Sequence, residues 1–139
     1  MLALEVIEIP VSNIDRAKTF YADLIGFHVD VDYAPTPQFR VVQLTPPGSA
    51  CSIHLVSGHG ATRNGKLYLV TDDLATEREK LLKRGVHITP IRHKEPLDTW
   101  AGGWSEGLDS QRHDYASVAE LRDLDGNLWV LQERGYRGA

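Results

Sequence analysis

The stretch VSNIDRAKTFYADLIGF, Val11–Phe27, decides the fold. Ser12 or Asn13 can cap free backbone amides, and Asp15 places negative charge in the first turn, where the helix dipole favours it. Ile14, Ala17, Phe20 or Tyr21, and Leu24 recur at helical spacing. Gly26 supplies a left-handed stop. The run EVIEIPV leads in as a strand, and HVDVDYA, FRVVQLTP and CSIHLVS follow as strands.

The same order then returns. KLYLVT is rich in β-branched and aromatic residues and reads as a strand. DDLATEREKLLKRG reads as a helix with Asp72 as cap, Leu74 and Leu81 or Leu82 on its apolar face, and Gly85 as its end. VHITPIRH, YASVAELRD and NLWVLQE are the strands that follow it. Ile14 recurs as Leu74 and Gly26 as Gly85, an offset of about 60 residues that marks an internal repeat. The chain is therefore expected to be α+β: two βαβββ modules related by a pseudo-twofold, their curved mixed sheet enclosing a cavity. A single domain over 1–139 is expected, with module 1 at about 1–57, a linker at 58–65 and module 2 at about 66–135. The linker SGHGATRNG is glycine-rich and polar.

Composition narrows the function classes. The chain has 139 residues, 42% of them hydrophobic and 24% charged, with a net charge of −4. That balance suits a globular protein with a real core. The 15 basic residues are scattered, so no nucleic-acid partner is expected. MLALEVIEIPV is apolar but broken by Glu5 and Glu8. It lacks a basic start and the length of a bilayer span, so a cytoplasmic protein without a membrane partner is expected. Cys51 is the single cysteine and reads as a small buried apolar residue, a catalytic thiol being the alternative.

VSNIDRAKTFYADLIGF and RDLDGNLWVLQE together resemble the vicinal oxygen chelate superfamily, which includes glyoxalase I, fosfomycin-resistance enzymes, extradiol dioxygenases and bleomycin-resistance binding proteins. Leu124 stands where the second motif has proline. The resemblance runs from about Leu4 to Glu133. It implies a homodimer and a small-molecule ligand or substrate, on a fold that hosts many chemistries. It also places the family's metal ligands at Val6, Gln43, Lys66 and Val130. Two of these cannot ligate and one is a cation, whereas divalent ions want imidazole, carboxylate or thiolate donors. No metal and no other cofactor is therefore expected.

Strand alternation nominates the residues lining the cavity. Val6, Glu8, Phe39, Val41, Gln43, Lys66, Tyr68, Val70, Val118, Glu120, Leu128, Val130 and Gln132 fall on the cavity side, with Trp129 and Leu131 on the core side. Glu8 or Glu120 is a candidate general base, with Lys66 to stabilise an enolate. The structural alternative is a buried ion pair between Lys66 and either carboxylate. Phe39, Gln43, His54, Tyr68 and Gln132 are candidate ligand-binding residues. His113 is expected over the cavity mouth, and His59 and His93 in solvent. No HxxxH or HExxH pattern occurs. The long segment from Lys94 to Asp114 carries Trp100 and Trp104 around Gly102-Gly103, an expected aromatic lid.

Three functions stay open on these residues. The first is a protein that binds or sequesters a small organic molecule in a metal-free cavity. The second is a lyase or isomerase using a cavity carboxylate. The third is a glyoxalase or dioxygenase with shifted metal ligands.

Overall fold

A computed structural model describes residues 1–58 and 65–138. Most of the expected linker, and His59 within it, lies outside the described residues. The chain forms two compact units. The first is Met1–Asn64 with Asp123–Asn127, and the second is Gly65–Arg122 with Leu128–Ala139.

The first unit is one β-strand, one helix and three further strands, as the sequence implies. β1 (Val6–Val11) leads into α1 (Ile14–Thr19), which continues as a π-helical segment, Phe20–Ile25. β2 (His28–Thr36), β3 (Phe39–Thr45) and β4 (Ser52–Ser57) complete a four-stranded sheet in the order β1-β4-β3-β2. β1 runs parallel to β4, and the other pairs are antiparallel. Asn13 is the cap: its side chain accepts a hydrogen bond from the Arg16 amide at 2.9 Å. Gly26 ends the helical run at φ 92°, a left-handed conformation that costs glycine little. Ile9, Val11, Tyr21, Val42, Leu44 and Leu55 are fully buried, and each apolar side chain of this size contributes roughly 1.5–3 kcal/mol.

Arg40 ties β3 to β2 and α1. Its guanidinium donates to Asp32 twice at 3.0 Å and to Asp15 at 2.7 Å, while Lys18 donates to Asp32 at 2.7 Å. Hydrogen bonds from Arg40 and then Lys18 hold the Asp32 carboxyl far below its ordinary value of 3.8. A carboxylate with a depressed folded value stabilises the fold fully above its ordinary value. That contribution fades as the pH falls from there toward the folded value. Acid titration of stability should therefore show a smaller loss below pH 3.8 in Asp32→Asn than in the wild type. Equal acid sensitivity of the two proteins would refute the assignment.

The second unit begins with β5 (Lys66–Thr71) and α2 (Leu74–Lys83), then adds β6 (Arg92–Lys94), β7 (Trp104–Glu106), β8 (Ser117–Arg122) and β9 (Leu128–Glu133). Its sheet runs β5-β9-β8-β6-β7, so it carries one strand more than the βαβββ pattern. The extra strand is β7, which lies in the segment expected to be a loop. The cap of α2 is Asp73, not Asp72, and it accepts from the Thr76 amide at 3.1 Å. Leu74 and Leu81 are buried, whereas Leu82 is exposed.

The expected strand VHITPIRH is reduced to β6 and a single bridge between Ile88 and Leu121. Pro90 has no amide to give to a ladder. Thr89 takes over instead: its amide donates to the Glu120 carbonyl at 2.9 Å, and its hydroxyl accepts the Glu120 amide at 2.8 Å. Gly103 precedes β7 where a Cβ would stand 2.6 Å from the Glu95 carbonyl oxygen, so only glycine fits that approach. Cys51 is half-buried, more open than a core residue.

Candidate binding faces of the two sheets

Each sheet has one face packed on its own helix and one face open. On the first sheet, Val31, Gln43, His54 and Glu8 stand side by side across β2, β3, β4 and β1. Facing residues on paired strands share a side, so these four form one row. The expected Glu8, Gln43 and His54 are thus brought together. His54 Nδ1 lies 3.7 Å from Glu8 Oε2. Phe39 and Tyr33 lie beyond the row, 53% and 57% exposed. On the other side, Thr45 shares its hydroxyl with Ser52 at 2.6 Å and donates to Asp30.

Glu8 is not the buried carboxylate the sequence suggested. Its side chain is 69% exposed, so the desolvation a buried base needs is missing. Gln43, where the resemblance places one ligand, lies on β3, next to the β1–β4 pair rather than within it. In the second unit Tyr68 faces Val130 on the last strand, and the matching pair in the first is Glu8 and His54. The repeat aligns β4 with β9, and Gln43 is on β3.

On the second sheet, Tyr68, Val130 and Glu120 form one row, and Val70, Gln132, Val118, Arg92 and Glu106 the next. Lys66 lies on the same side, opposite Leu128. Tyr68 and Lys66 are exposed and Gln132 is half-buried. Val118 and Val130 are buried, so they do not line open space as expected. Trp129 and Leu131 are buried too, on the core side.

Glu120 does not pair with Lys66. Its Oε1 accepts from Arg92 Nη2 at 2.7 Å, and its side chain is 20% exposed. The Arg92 guanidinium also sits 4.4 Å above the Trp104 ring. Lys94 lies 4.9 Å from the centre of the Trp100 ring. The two indoles meet edge to face at 5.1 Å. Trp100 Nε1 donates to the Gly103 carbonyl at 2.5 Å. Arg92 and Trp104 border a hollow of about 310 Å³ with Thr89, Pro90, Ile91, Ser105, Glu106 and Glu120. The aromatic segment is therefore anchored by β7 and by two cation–π contacts, each worth about 0.5–1 kcal/mol at an exposed site. Neither Arg92, inside the expected strand VHITPIRH, nor Lys94, at the start of the long segment after it, carries a local signal of these contacts.

Two further histidines are accounted for locally. His113 is exposed and bound to Asp109, with Nδ1 2.7 Å from Oδ2. Burial pushes the Asp109 carboxyl up, and hydrogen bonds from the His113 amide and ring overcome this and bring it below its ordinary value. His93 is not in solvent: its side chain is 16% exposed, with Nδ1 2.8 Å from the Gly107 carbonyl.

Among the described residues, no three His, Cys, Asp or Glu side chains come close enough to hold an ion. Val130 is buried and apolar, and Lys66 is a cation, so the chain's residues do not fit the divalent ion that metal-using relatives hold. No described helix is long and apolar enough to cross a membrane.

With this geometry the chain belongs to the Glyoxalase/Bleomycin resistance protein/Dioxygenase superfamily, whose model matches residues 3–131. Among solved structures it is similar to TnmS3, an antibiotic binding protein from Streptomyces sp. CB03234. The two are 25% identical with a TM-score of 0.70, and the match covers 96% of each chain. It is also similar to a superfamily member from Sphaerobacter thermophilus, 24% identical with a TM-score of 0.72, over 96% of this chain and 98% of that one. A curated relative, the urease accessory protein UreE of Albidiferax ferrireducens, is 28% identical over 92 residues, 64% of this chain. The chain spans about half the length of that relative, 53%.

Proposed function

We propose that the protein binds a small organic molecule of the antibiotic type without using a metal, as a single-domain homodimer in the cytoplasm. The observation that carries this is the Trp100–Trp104 pair, backed by Arg92 and Lys94, with Trp104 bordering the hollow that holds Glu120. Indole faces give a flat ligand a large contact area at small entropic cost. Glu120 and Arg92 add hydrogen-bonding groups at the edge of that surface. The antibiotic-binding description of TnmS3 points the same way. Tyr68, Gln132 and His113 are proposed as further contacts, and Phe39, Gln43 and His54 as contacts on the first sheet. A lyase or isomerase built on Glu120 and Lys66 is less well supported, because Arg92 already neutralises that carboxylate.

A thermal-shift screen of antibiotics and metabolites tests the reading. A ligand present at a hundred times its Kd should stabilise the fold by about 2.7 kcal/mol. The same ligand should quench tryptophan emission, and Trp100→Ala and Trp104→Ala should each remove most of the quench, since Trp129 is buried in the sheet. A stabilising ligand that leaves emission untouched would sink the proposal.

A further inference from the structure

The row Glu8–His54–Gln43 on the first sheet has a chemistry of its own. His54 sits on β4 between Glu8 on β1 and Gln43 on β3. Its Nδ1 faces the Glu8 carboxylate at 3.7 Å, too long for a hydrogen bond and short enough for an ion pair. Among the described residues, Nε2 has no hydrogen-bond partner. The imidazole is 24% exposed, so it is reachable from the open face and yet fixed by its strand. No other charged side chain of β1, β3 or β4 shares that face. On β2, His28 stands opposite Thr45 with its Nε2 3.8 Å from Asp30, and Asp30 accepts from the Thr45 hydroxyl, which also meets Ser52. Tyr33 and Phe39 supply exposed aromatic surface beyond the row.

The charges select the ligand. A preformed anion would meet the Glu8 carboxylate. A cation would be drawn to Glu8 and would have no need of His54. A neutral ligand that gives up a proton suits both groups: the proton goes to the imidazole, and the charges then alternate from ligand anion to imidazolium to carboxylate. An acidic hydroxyl on an aromatic ring is such a ligand, and its ring suits Tyr33 and Phe39.

We propose that this row is a proton-accepting site for a phenolic ligand. The phenol O–H bond breaks and an N–H bond forms at His54 Nε2. Both electrons of the O–H bond stay on the oxygen, which remains as a phenolate beside the imidazolium. His54 touches the ligand. Glu8 acts through His54 as a positioning residue, its carboxylate 3.7 Å from Nδ1 on the side away from the ligand. The Gln43 amide supplies a hydrogen-bond donor for the phenolate. This rests on the small-molecule reading above and deepens its first-sheet contacts, on the unit that does not carry the tryptophan pair.

The probe is 4-nitrophenol, whose phenolate absorbs at longer wavelength than its phenol. Binding is followed by equilibrium dialysis and ionisation of the bound probe by absorbance across pH. In the wild-type protein the bound probe should ionise at a lower pH than the free probe, its acid ionisation constant raised about tenfold, or about one pH unit. His54→Gln should return the bound probe to the free value. Glu8→Gln should lose part of the shift in the probe that remains bound. Absence of binding, an unshifted wild-type midpoint, or a shift that survives His54→Gln would each overturn the proposal. The tryptophan quench reports on Trp100 and Trp104 of the second unit, so failure here is distinguishable from failure of the wider reading.

Discussion

Arg112→Ala is expected to lower the unfolding free energy by about 3–5 kcal/mol, the usual cost of leaving one partner of a buried ion pair behind. The partner is Glu133, whose side chain is 1% exposed. Its two oxygens accept from Arg112 Nε and Nη2 at 2.6 and 2.7 Å, and Oε2 also accepts the Leu74 amide at 2.9 Å. Arg112 is held in a left-handed conformation at φ 53°, with the Tyr136 ring 3.4 Å from its guanidinium carbon. Hydrogen bonding to Glu133 pushes the Arg112 pKa up, so the guanidinium stays charged. Removing the guanidinium leaves a carboxylate in the core with one backbone amide for company. Glu133→Gln should cost less, because a neutral amide keeps an acceptor for Leu74. The double variant Arg112→Met/Glu133→Leu should recover most of the loss, since apolar replacement of both partners removes the stranded charge. Urea unfolding measures all three. A loss under about 1 kcal/mol in Arg112→Ala would show that the pair is no more than a surface contact.

The sequence made the secondary structure of the first unit legible because its signals are local. A cap, a helical apolar stripe and a glycine stop lie within seventeen residues of one another, Val11–Phe27. Strand alternation also told correctly that Glu8 and Val6 share one face and Ile9 and Val11 the other. Alternation could not tell how open a face is. Glu8 was therefore read as buried when it is exposed, and Val118 and Val130 as lining open space when they are buried. Partnerships across the chain were invisible for the same reason. Glu120 meets Arg92, 28 residues away, and nothing in either neighbourhood announces it. β7 was lost because three residues are too few to show a period, and because its pairing with β6 is made through a strand that Pro90 shortens.

The turn DLDGN, Asp123–Asn127, is a structural latch within the first unit. Asp123 Oδ2 accepts from the Tyr21 hydroxyl at 2.6 Å and from Asn127 Nδ2 at 2.7 Å. Its Oδ1 accepts the amides of Asp125 and Asn127, both at 2.9 Å. Asn127 Nδ2 also donates to the Pro10 carbonyl at 3.0 Å, and Asp125 accepts the Ser12 amide at 3.0 Å. Tyr21 and Asn127 are fully buried, and Asp123 is 7% exposed. Asp123→Ala leaves several buried donors without this acceptor, at about 1–3 kcal/mol for each that stays unsatisfied. The variant should therefore lose about 3–5 kcal/mol in urea unfolding, with Tyr21→Phe losing about 1 kcal/mol because it removes donor and demand together. Both act on one carboxylate oxygen, so the double variant should lose less than the two singles combined. Strict additivity would mean that the Tyr21–Asp123 bond contributes nothing to the fold.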